Sequence, residues 1–383
     1  MSVYLDYNAS APIDIRVLDV MVDVYKNSYG NADSRTHDFG DQARKVVENA
    51  RKQTSALLGV NSDEVFFTSG ATESNNIAIQ GLKKYAEKSG KKHILTTAIE
   101  HHSVLNTVKE LAEEGFDIEL IAPEKNGRID AQKMLEKLRD DTLLVSVMHV
   151  NNETGIIQPV KEIGEYLDGK DIMFHVDATQ SCGKLVEEIR GLKYDMLSCS
   201  AHKFMGPQGI GALVLRKKKY LLPPVTPLMY GGQQEKGIRP GTIPVALVAG
   251  IGKASELASQ EYKDNAMISR VIKTQLLNTL EKSGTKYKVN GDPKYCVNTT
   301  VNICFEGVSS EALMMSTKQY CGISNGSACT SKDYSPSYVL KAMGLSDEEA
   351  FDSIRISWGH KTDIQDAIEG FEMVLNTVKS FQE

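Results

Sequence analysis

The chain has 383 residues, of which 41% are hydrophobic and 25% are charged, with 30 Gly and 11 Pro. This composition is typical of a globular protein of two or three compact units, and it excludes disordered, collagen-like and low-complexity chains. The 44 Lys and Arg against 50 Asp and Glu give a net charge of −6, which argues against wide contact with a nucleic-acid backbone as the main activity.

The sequence contains no apolar run of the roughly 20 residues that a membrane-spanning helix needs, and its N-terminal residues lack the features of a secretion signal. We therefore expect a cytoplasmic protein without a membrane partner. The six cysteines form no CxxC pair and no zinc-like spacing with histidine, so free thiols are expected rather than a zinc site or a disulfide framework.

Short apolar runs alternate with longer amphipathic segments along the first 215 residues, which predicts crossover units and a mostly parallel sheet. The predicted strands are 64–68, 93–97, 118–121, 143–147, 172–176, 195–199 and 211–215. Segment 43–58 carries its apolar residues on one face at a period of 3.6, so it is predicted to be a helix that covers the sheet.

A basic stretch with several prolines follows residue 215 and leads into a Gly-rich loop, which we interpret as a long functional connection. A predicted helical segment, 243–280, then leads to a smaller C-terminal unit with strand-like runs at 297–305 and 353–358.

Polar residues follow the predicted strands, at the sheet edge where open α/β proteins bind their ligands. Small residues at 69–72 open a helix whose free N–H groups suit a phosphate, although the run is also typical of an ordinary N-cap at Thr72. Asp177 follows the strand 172–176, and Lys203 follows the strand 195–199 in a Gly-rich turn. A lysine close to a carboxylate and a phosphate cradle is the arrangement expected for pyridoxal phosphate.

The chain resembles the cysteine desulfurases of the IscS/NifS type from Tyr4 to about Gly359, because ten motifs occur in the order of that family. They are LDYNASAP, YGNADSRTHDFG, FTSGATESNN, EHHSVLNT, VNNETG, HVDATQ, SAHKFMGPQGIGAL, GGQQEKGIRPGT, NGSACTS and PSYVLKAMGL. These enzymes are fold-type-I pyridoxal-phosphate proteins of the class V aminotransferase family. The resemblance implies an α/β fold with a mostly parallel seven-stranded sheet in a large domain, 13–255. It also implies a smaller α+β domain, 1–12 and 256–383, that carries the catalytic-cysteine loop at about 324–337.

The resemblance also implies roles for residues around the cofactor ring. Lys203 would hold pyridoxal phosphate covalently and later remove the substrate α-proton, while Asp177 would keep the pyridine nitrogen protonated. His101 would stack on the ring and shuttle protons as a catalytic residue. Gln180 would contact the ring hydroxyl, and Asn152 would contact that hydroxyl or the substrate.

The cofactor phosphate would lie on Ala71 and Thr72, with Ser200 and His202. Family members complete this cradle with a threonine from a second copy of the chain, here Thr242, so the resemblance implies a homodimer.

Two further residues would handle the substrate. Arg355 would hold its carboxylate, a bidentate task suited to the planar guanidinium group. Cys329 would accept the sulfur, and its small, polar neighbours suit the exposure of a thiolate. Cys321, eight residues earlier, is not expected to act as its functional partner.

The implied reaction converts L-cysteine to L-alanine and leaves a persulfide on Cys329, from which the sulfur passes to an acceptor protein. The sulfur would serve iron–sulfur cluster assembly, tRNA thiolation or DNA phosphorothioate modification. Because the chain ends at Glu383, soon after its last predicted helix, a dedicated NifS-like or DndA-like member fits at least as well as a housekeeping one. Direct contact with nucleic acid is not expected.

Three alternatives remain open at this point. One is a pyridoxal-phosphate enzyme of other specificity, a selenocysteine lyase or a cysteine-sulfinate desulfinase, in which the thiol matters less. A second is a non-catalytic sulfur carrier. The third is a metalloenzyme in which His175 and Asp177 bind a metal together with His101, His102 or His202. Such a site would leave Lys203 and Cys329 without a role, so no metal is expected.

Overall fold

The computed structural model describes residues 2–326 and 335–383 of the chain. The strands within these ranges are β1 Val3–Tyr4, β2 Val65–Thr68, β3 His93–Thr97, β4 Asp117–Ile121, β5 Thr142–Met148, β6 Met173–Asp177, β7 Met196–Ser200, β8 Gly211–Leu215, β9 Tyr287–Val289, β10 Thr300–Phe305, β11 Cys321–Gly322 and β12 Ser353–Ser357. The helices are α1 Ile15–Asn27, α2 Asp38–Leu58, α3 Ala71–Gln80, α4 Lys83–Ser89, α5 His102–Glu113, α6 Ala131–Leu135, α7 Val160–Leu167, α8 Val186–Gly191, α9 Val245–Lys282, α10 Ser310–Thr317, α11 Tyr338–Ala342, α12 Asp347–Phe351 and α13 Ile364–Gln382.

The large sheet of the described chain has seven strands in the order β2-β8-β7-β6-β5-β3-β4. The pairs from β7 to β4 are parallel, whereas β8 runs antiparallel to both β7 and β2. All seven predicted strands are present, and none of their ends differs from the prediction by more than one residue. The predicted α/β fold with a mostly parallel sheet is confirmed.

Helices α2 and α9 pack against each other beside this sheet. The helix α2 buries Ala43, Val47 and Ala50, as the period of 3.6 predicted, but it begins five residues earlier than residue 43. His37 caps it there, since its side chain accepts a hydrogen bond from Gly40 N. In these early residues the apolar side chain, Phe39, is exposed, so the pattern of buried apolar residues could not reveal this first turn.

The C-terminal part has its own antiparallel sheet, in the order β12-β10-β9, and its own hydrophobic cluster. Leu5 from the N-terminus packs in this cluster with Ile303, Trp358 and Phe371, and β1 pairs with β11. The boundaries of the two domains stay a prediction. None of the described helices is both long and apolar enough to cross a membrane.

Candidate active site

Lys203 lies in a short 3-10 turn just after β7, beside the N-terminal segment of the chain. Its Nζ donates hydrogen bonds to the carbonyl oxygens of Asn8 at 2.7 Å and Ala9 at 2.9 Å. Gln180 Nε2 donates to the same Asn8 oxygen at 2.9 Å. The structure therefore brings together two predicted site residues through Asn8, which the sequence analysis missed although it lies in the motif LDYNASAP.

Lys184 is a second amine beside Lys203, and the sequence analysis missed it too. Its Nζ donates to Gln180 Oε1 at 3.2 Å, and both lysines line a cleft of about 110 Å³. Burial, with the charges of Lys203 and Arg355, lowers the pKa of Lys184 to about 7. The positive charges of this region therefore repel one another, which favours the binding of an anionic group.

Asp177, the last residue of β6, is a carboxylate with three hydrogen-bond donors. Asn75 Nδ2 lies 2.9 Å from Asp177 Oδ2, while the backbone N–H and the hydroxyl of Thr179 donate to Asp177 Oδ1 at 2.9 Å and 2.5 Å. Asn75 Nδ2 also donates to Ser103 Oγ at 2.8 Å. These donors fix the orientation of a carboxylate that can hold a protonated ring nitrogen.

His101 precedes α5, and its ring is held in one tautomer. The backbone N–H of Ser103 donates to His101 Nδ1 at 3.1 Å, and Ser103 Oγ lies 2.8 Å from the same nitrogen. Nδ1 is therefore an acceptor, and the proton of the neutral ring lies on Nε2. Burial is the main cause that lowers the pKa of His101, Lys203 adds to it, and Asp177 opposes it.

The phosphate cradle is predicted at the start of α3, which has free N–H groups. No side chain caps this helix at Gly70, so the N–H groups of Ala71 and Thr72 begin its first turn. A Cβ atom on Gly211 would lie 2.7 Å from Gly70 Cα, so the close approach of β8 requires glycine there. A Cβ on Gly70 would lie 3.6 Å from Ser200 Oγ, which places this hydroxyl beside the helix start.

His202 also lies next to Lys203, and its ring is half-buried. Burial and the charge of Lys203 lower the pKa of His202 to about 4. Its Nδ1 lies 3.3 Å from Ser10 Oγ. At neutral pH the ring is uncharged and keeps one N–H group that can donate to an anion.

Thr242 lies on the exposed loop before α9. Among the described residues it makes no hydrogen bond to Ala71, Thr72, Ser200 or His202 of its own chain. Its predicted contribution to the cradle of a second copy stays a prediction.

Arg355 is 4% exposed and lies in the centre of β12. Its Nη1 donates to the carbonyl oxygen of Asn152 at 3.0 Å, and its Nη2 donates to Asp6 Oδ1 at 2.7 Å. Within the described chain, Arg355 Nε and Asn152 Oδ1 are buried without a hydrogen-bond partner. Unpaired buried polar atoms are rare in proteins, and this donor and acceptor suit the carboxylate and ammonium groups of an amino acid.

Cys329 lies outside the described residues. The described cysteines are poor candidates for a reactive thiolate: burial raises the pKa of Cys321 to about 12 and that of Cys304 to about 11, and it also raises the pKa of Cys296. Cys182 is buried, and its hydrogen bond with Cys199 raises its pKa.

The ring of His175, the histidine of the metalloenzyme alternative, is already engaged by two hydroxyl groups. His175 is fully buried, with Nδ1 2.8 Å from Ser146 Oγ and Nε2 3.0 Å from Ser198 Oγ, so both of its ring nitrogens have partners. In residues 2–326 and 335–383, no three His, Cys, Asp or Glu side chains converge as metal ligands would.

The arrangement fits pyridoxal phosphate. It combines a lysine amine, a hydrogen-bonded carboxylate, a neutral imidazole and a helix N-terminus at one edge of the sheet. The residues that could hold the cofactor are Lys203, Asp177, His101, Gln180, Asn152, Ala71, Thr72, Ser200 and His202.

Comparisons with known proteins agree with this chemistry. Residues 3–369 match the family model described as aminotransferase class V. The cysteine desulfurase IscS of Cronobacter sakazakii is 42% identical over 380 residues, which cover 99% of this chain and 93% of the relative. A solved NifS-like protein has a TM-score of 0.91 at 32% identity, covering 99% of this chain and 100% of its own. The crystal structure of DndA from Streptomyces lividans has a TM-score of 0.81 at 41% identity, covering 92% and 98%.

Proposed function

The chain belongs to the class V aminotransferase family, and from this premise we propose that it is a cysteine desulfurase that mobilises the sulfur of L-cysteine with pyridoxal phosphate. One observation carries the proposal. The charge of Lys203 acts on His101, and the side chain of His101 is linked to Asp177 through Ser103 and Asn75. This is the set of groups that proton transfer at an amino-acid α-carbon requires.

The proposed cofactor site uses the residues at the sheet edge. Lys203 would hold the cofactor covalently, and Asp177 would hold the proton of its pyridine nitrogen. The N–H groups of Ala71 and Thr72, with Ser200 Oγ and His202, would bind its phosphate. When bound, the cofactor supplies an electron sink for the bonds at the substrate α-carbon.

Arg355 binds the carboxylate of L-cysteine and orients the substrate. Its side chain is already fixed by Asn152 and Asp6, so little conformational entropy remains to be lost when substrate binds. With the cofactor bound, Lys203 Nζ would take the α-proton, and His101 Nε2–H would return a proton to a substrate atom.

The Cys329 thiolate then attacks the sulfur of the substrate. The bond between the substrate's Cβ and its sulfur breaks as the new S–S bond forms, and Cβ keeps the electron pair and takes up a proton. One L-cysteine and one enzyme thiol give one L-alanine and one enzyme persulfide, so no external oxidant is needed. An acceptor protein then receives the sulfur, and the similarity to DndA makes a dedicated pathway a candidate for this step.

The test is mass spectrometry of the Cys329 peptide after the purified holoenzyme is mixed with L-cysteine, with released alanine measured in the same sample. We expect one added sulfur on Cys329, and we expect Cys329→Ser to lose persulfide formation. Cys321→Ser is the matched control, because its buried thiol should not carry sulfur. Full sulfur transfer by Cys329→Ser would contradict the proposal that Cys329 accepts the sulfur.

A further inference from the structure

The carboxyl group of Glu153 has no part in the chemistry described above, although it lies beside the site. Glu153 follows Asn152 in the turn after β5 and is 1% exposed. Its backbone N–H donates to Asn151 Oδ1 at 2.9 Å, and its carbonyl oxygen accepts from Asn302 Nδ2 at 3.2 Å. The backbone is therefore fixed on both sides, which gives the side chain a defined position.

The described chain touches this one carboxyl group on both sides of residues 327–334. Before them, Gly326 lies so close that a Cβ atom would be 2.8 Å from Glu153 Oε2. After them, Ser337 Oγ donates to the same Glu153 Oε2 at 2.5 Å. Residues 326 and 337 are 11 positions apart, so an extended chain could separate them by roughly 36 Å, yet here both lie near one oxygen atom.

Each end is also anchored to a neighbouring element. Gly326 N donates to Ser324 Oγ at 3.1 Å, and Ser324 pairs with Arg355 through two backbone hydrogen bonds. On the other side, Ser337 Oγ accepts from Leu340 N at 3.2 Å and so caps α11. Glu153 therefore connects the strand that carries the substrate-binding arginine to the helix that follows residues 327–334.

We propose that Glu153 is a positioning residue, which holds residues 326 and 337 together and thereby sets where Cys329 meets the sulfur of the substrate. The inference rests on the proposed function, because it concerns the sulfur-transfer step alone. Substrate binding at Arg355 and proton removal by Lys203 do not need this carboxyl group.

The surroundings of Glu153 indicate which substitution should be tolerated. Burial raises the pKa of Glu153, while the hydrogen bond from Ser337 and the charge of Arg355 oppose this shift. An amide has nearly the shape of a carboxyl group, so Glu153→Gln keeps an oxygen that can accept the hydrogen bond from Ser337. Glu153→Ala leaves the buried hydroxyl of Ser337 without that acceptor and leaves a gap beside Gly326.

The experiment separates substrate binding from sulfur transfer in the holoenzyme. Binding is measured from the visible absorbance of the bound cofactor as L-cysteine is added, and transfer from a single-turnover assay of the Cys329 persulfide and alanine. For Glu153→Ala we expect binding within about twofold of wild type and transfer slowed by roughly ten- to a hundredfold, the cost of misplacing a reacting group. Glu153→Gln should recover most of the rate.

Glu64→Ala is the matched control, because it also removes a buried carboxyl group, at a site remote from residues 326 and 337. It should change neither readout. If wild type forms neither persulfide nor alanine, the proposed function fails and the inference falls with it. If wild type forms both and Glu153→Ala forms them at the same rate, or loses binding and transfer equally, only the inference is overturned.

A second pair of variants serves if Glu153→Ala does not fold. Ser337→Ala removes the hydrogen bond to Glu153 and the cap of α11, whereas Ser346→Ala removes the corresponding cap of the equally short α12. Only Ser337→Ala should slow transfer, because the hydroxyl of Ser337 is the one that donates to Glu153. Equal effects of the two serine variants would overturn the inference.

Discussion

Asn75 Nδ2 lies 2.9 Å from Asp177 Oδ2 and donates a hydrogen bond to it. The same amide nitrogen donates to Ser103 Oγ at 2.8 Å, and this hydroxyl lies 2.8 Å from His101 Nδ1. One buried amide therefore orients both the carboxylate proposed to hold the cofactor ring and the histidine proposed to lie on it. The two groups are coupled although Asp177 ends β6 and His101 precedes α5.

We expect Asn75→Ala to lower alanine production by about 10- to 100-fold, because a hydrogen bond to a charged group contributes about 1.5–3 kcal/mol. The loss should appear in kcat rather than in the retention of the cofactor, since Lys203 is unchanged. Steady-state kinetics with L-cysteine measures it. Asn76→Ala is the control, because the half-buried Asn76 makes no hydrogen bond to Asp177 or Ser103, and its Nδ2 donates to its own helix at Thr72 O. A full rate in Asn75→Ala would show that the link is dispensable.

The large sheet could be predicted well from the sequence, because each of its strands is a short, buried apolar run and these runs alternate with amphipathic segments. The sequence also predicted the residues that directly follow those strands, including Asp177 and Lys203, since the carboxyl ends of parallel strands meet at one edge. The connection between Asn8 and Lys203 could not be predicted, because these residues are 195 positions apart and join through a backbone carbonyl.

Glu153 was missed for a related reason. Its motif, VNNETG, directed attention to Asn152, and nothing in the spacing indicates that a carboxyl group 184 positions before Ser337 would contact it. Contacts of this kind depend on how the C-terminal part packs on the large sheet. Local periodicity and turn signals carry no information on that packing.

Glu100 gives a prediction for the pH dependence of stability. Its Oε1 accepts hydrogen bonds from Thr97 Oγ1 at 2.7 Å and Met148 N at 2.9 Å, while Oε2 is buried without a partner in the described chain. Complete burial raises its pKa from the ordinary value of 4.5 to about 8. The folded state thus holds a proton that the unfolded state loses.

This contribution to the free energy of unfolding is fully present below pH 4.5 and falls as the pH rises towards 8, by about 1.4 kcal/mol per pH unit at most. Glu100→Gln removes the titration, so its melting temperature should exceed that of wild type by a margin that widens from pH 5 to pH 8. Thermal unfolding over this range measures the margin. Glu87 is exposed, so the melting temperature of Glu87→Gln should change with pH as that of wild type does. If the difference between Glu100→Gln and wild type stays constant from pH 5 to pH 8, the prediction is contradicted.

The proposed role of Thr242 in a second copy predicts complementation between two inactive variants. Lys203→Ala lacks the lysine and Thr242→Ala lacks the proposed phosphate contact, so each homodimer should be impaired. In a mixed dimer, the site that contains Lys203 receives Thr242 from the other chain and is complete, whereas the second site lacks both. Co-expression with two affinity tags isolates the mixed dimer, and we expect about half of the wild-type activity, since one of its two sites is intact. If Thr242 served its own chain, the mixed dimer would show no recovery above the Thr242→Ala homodimer.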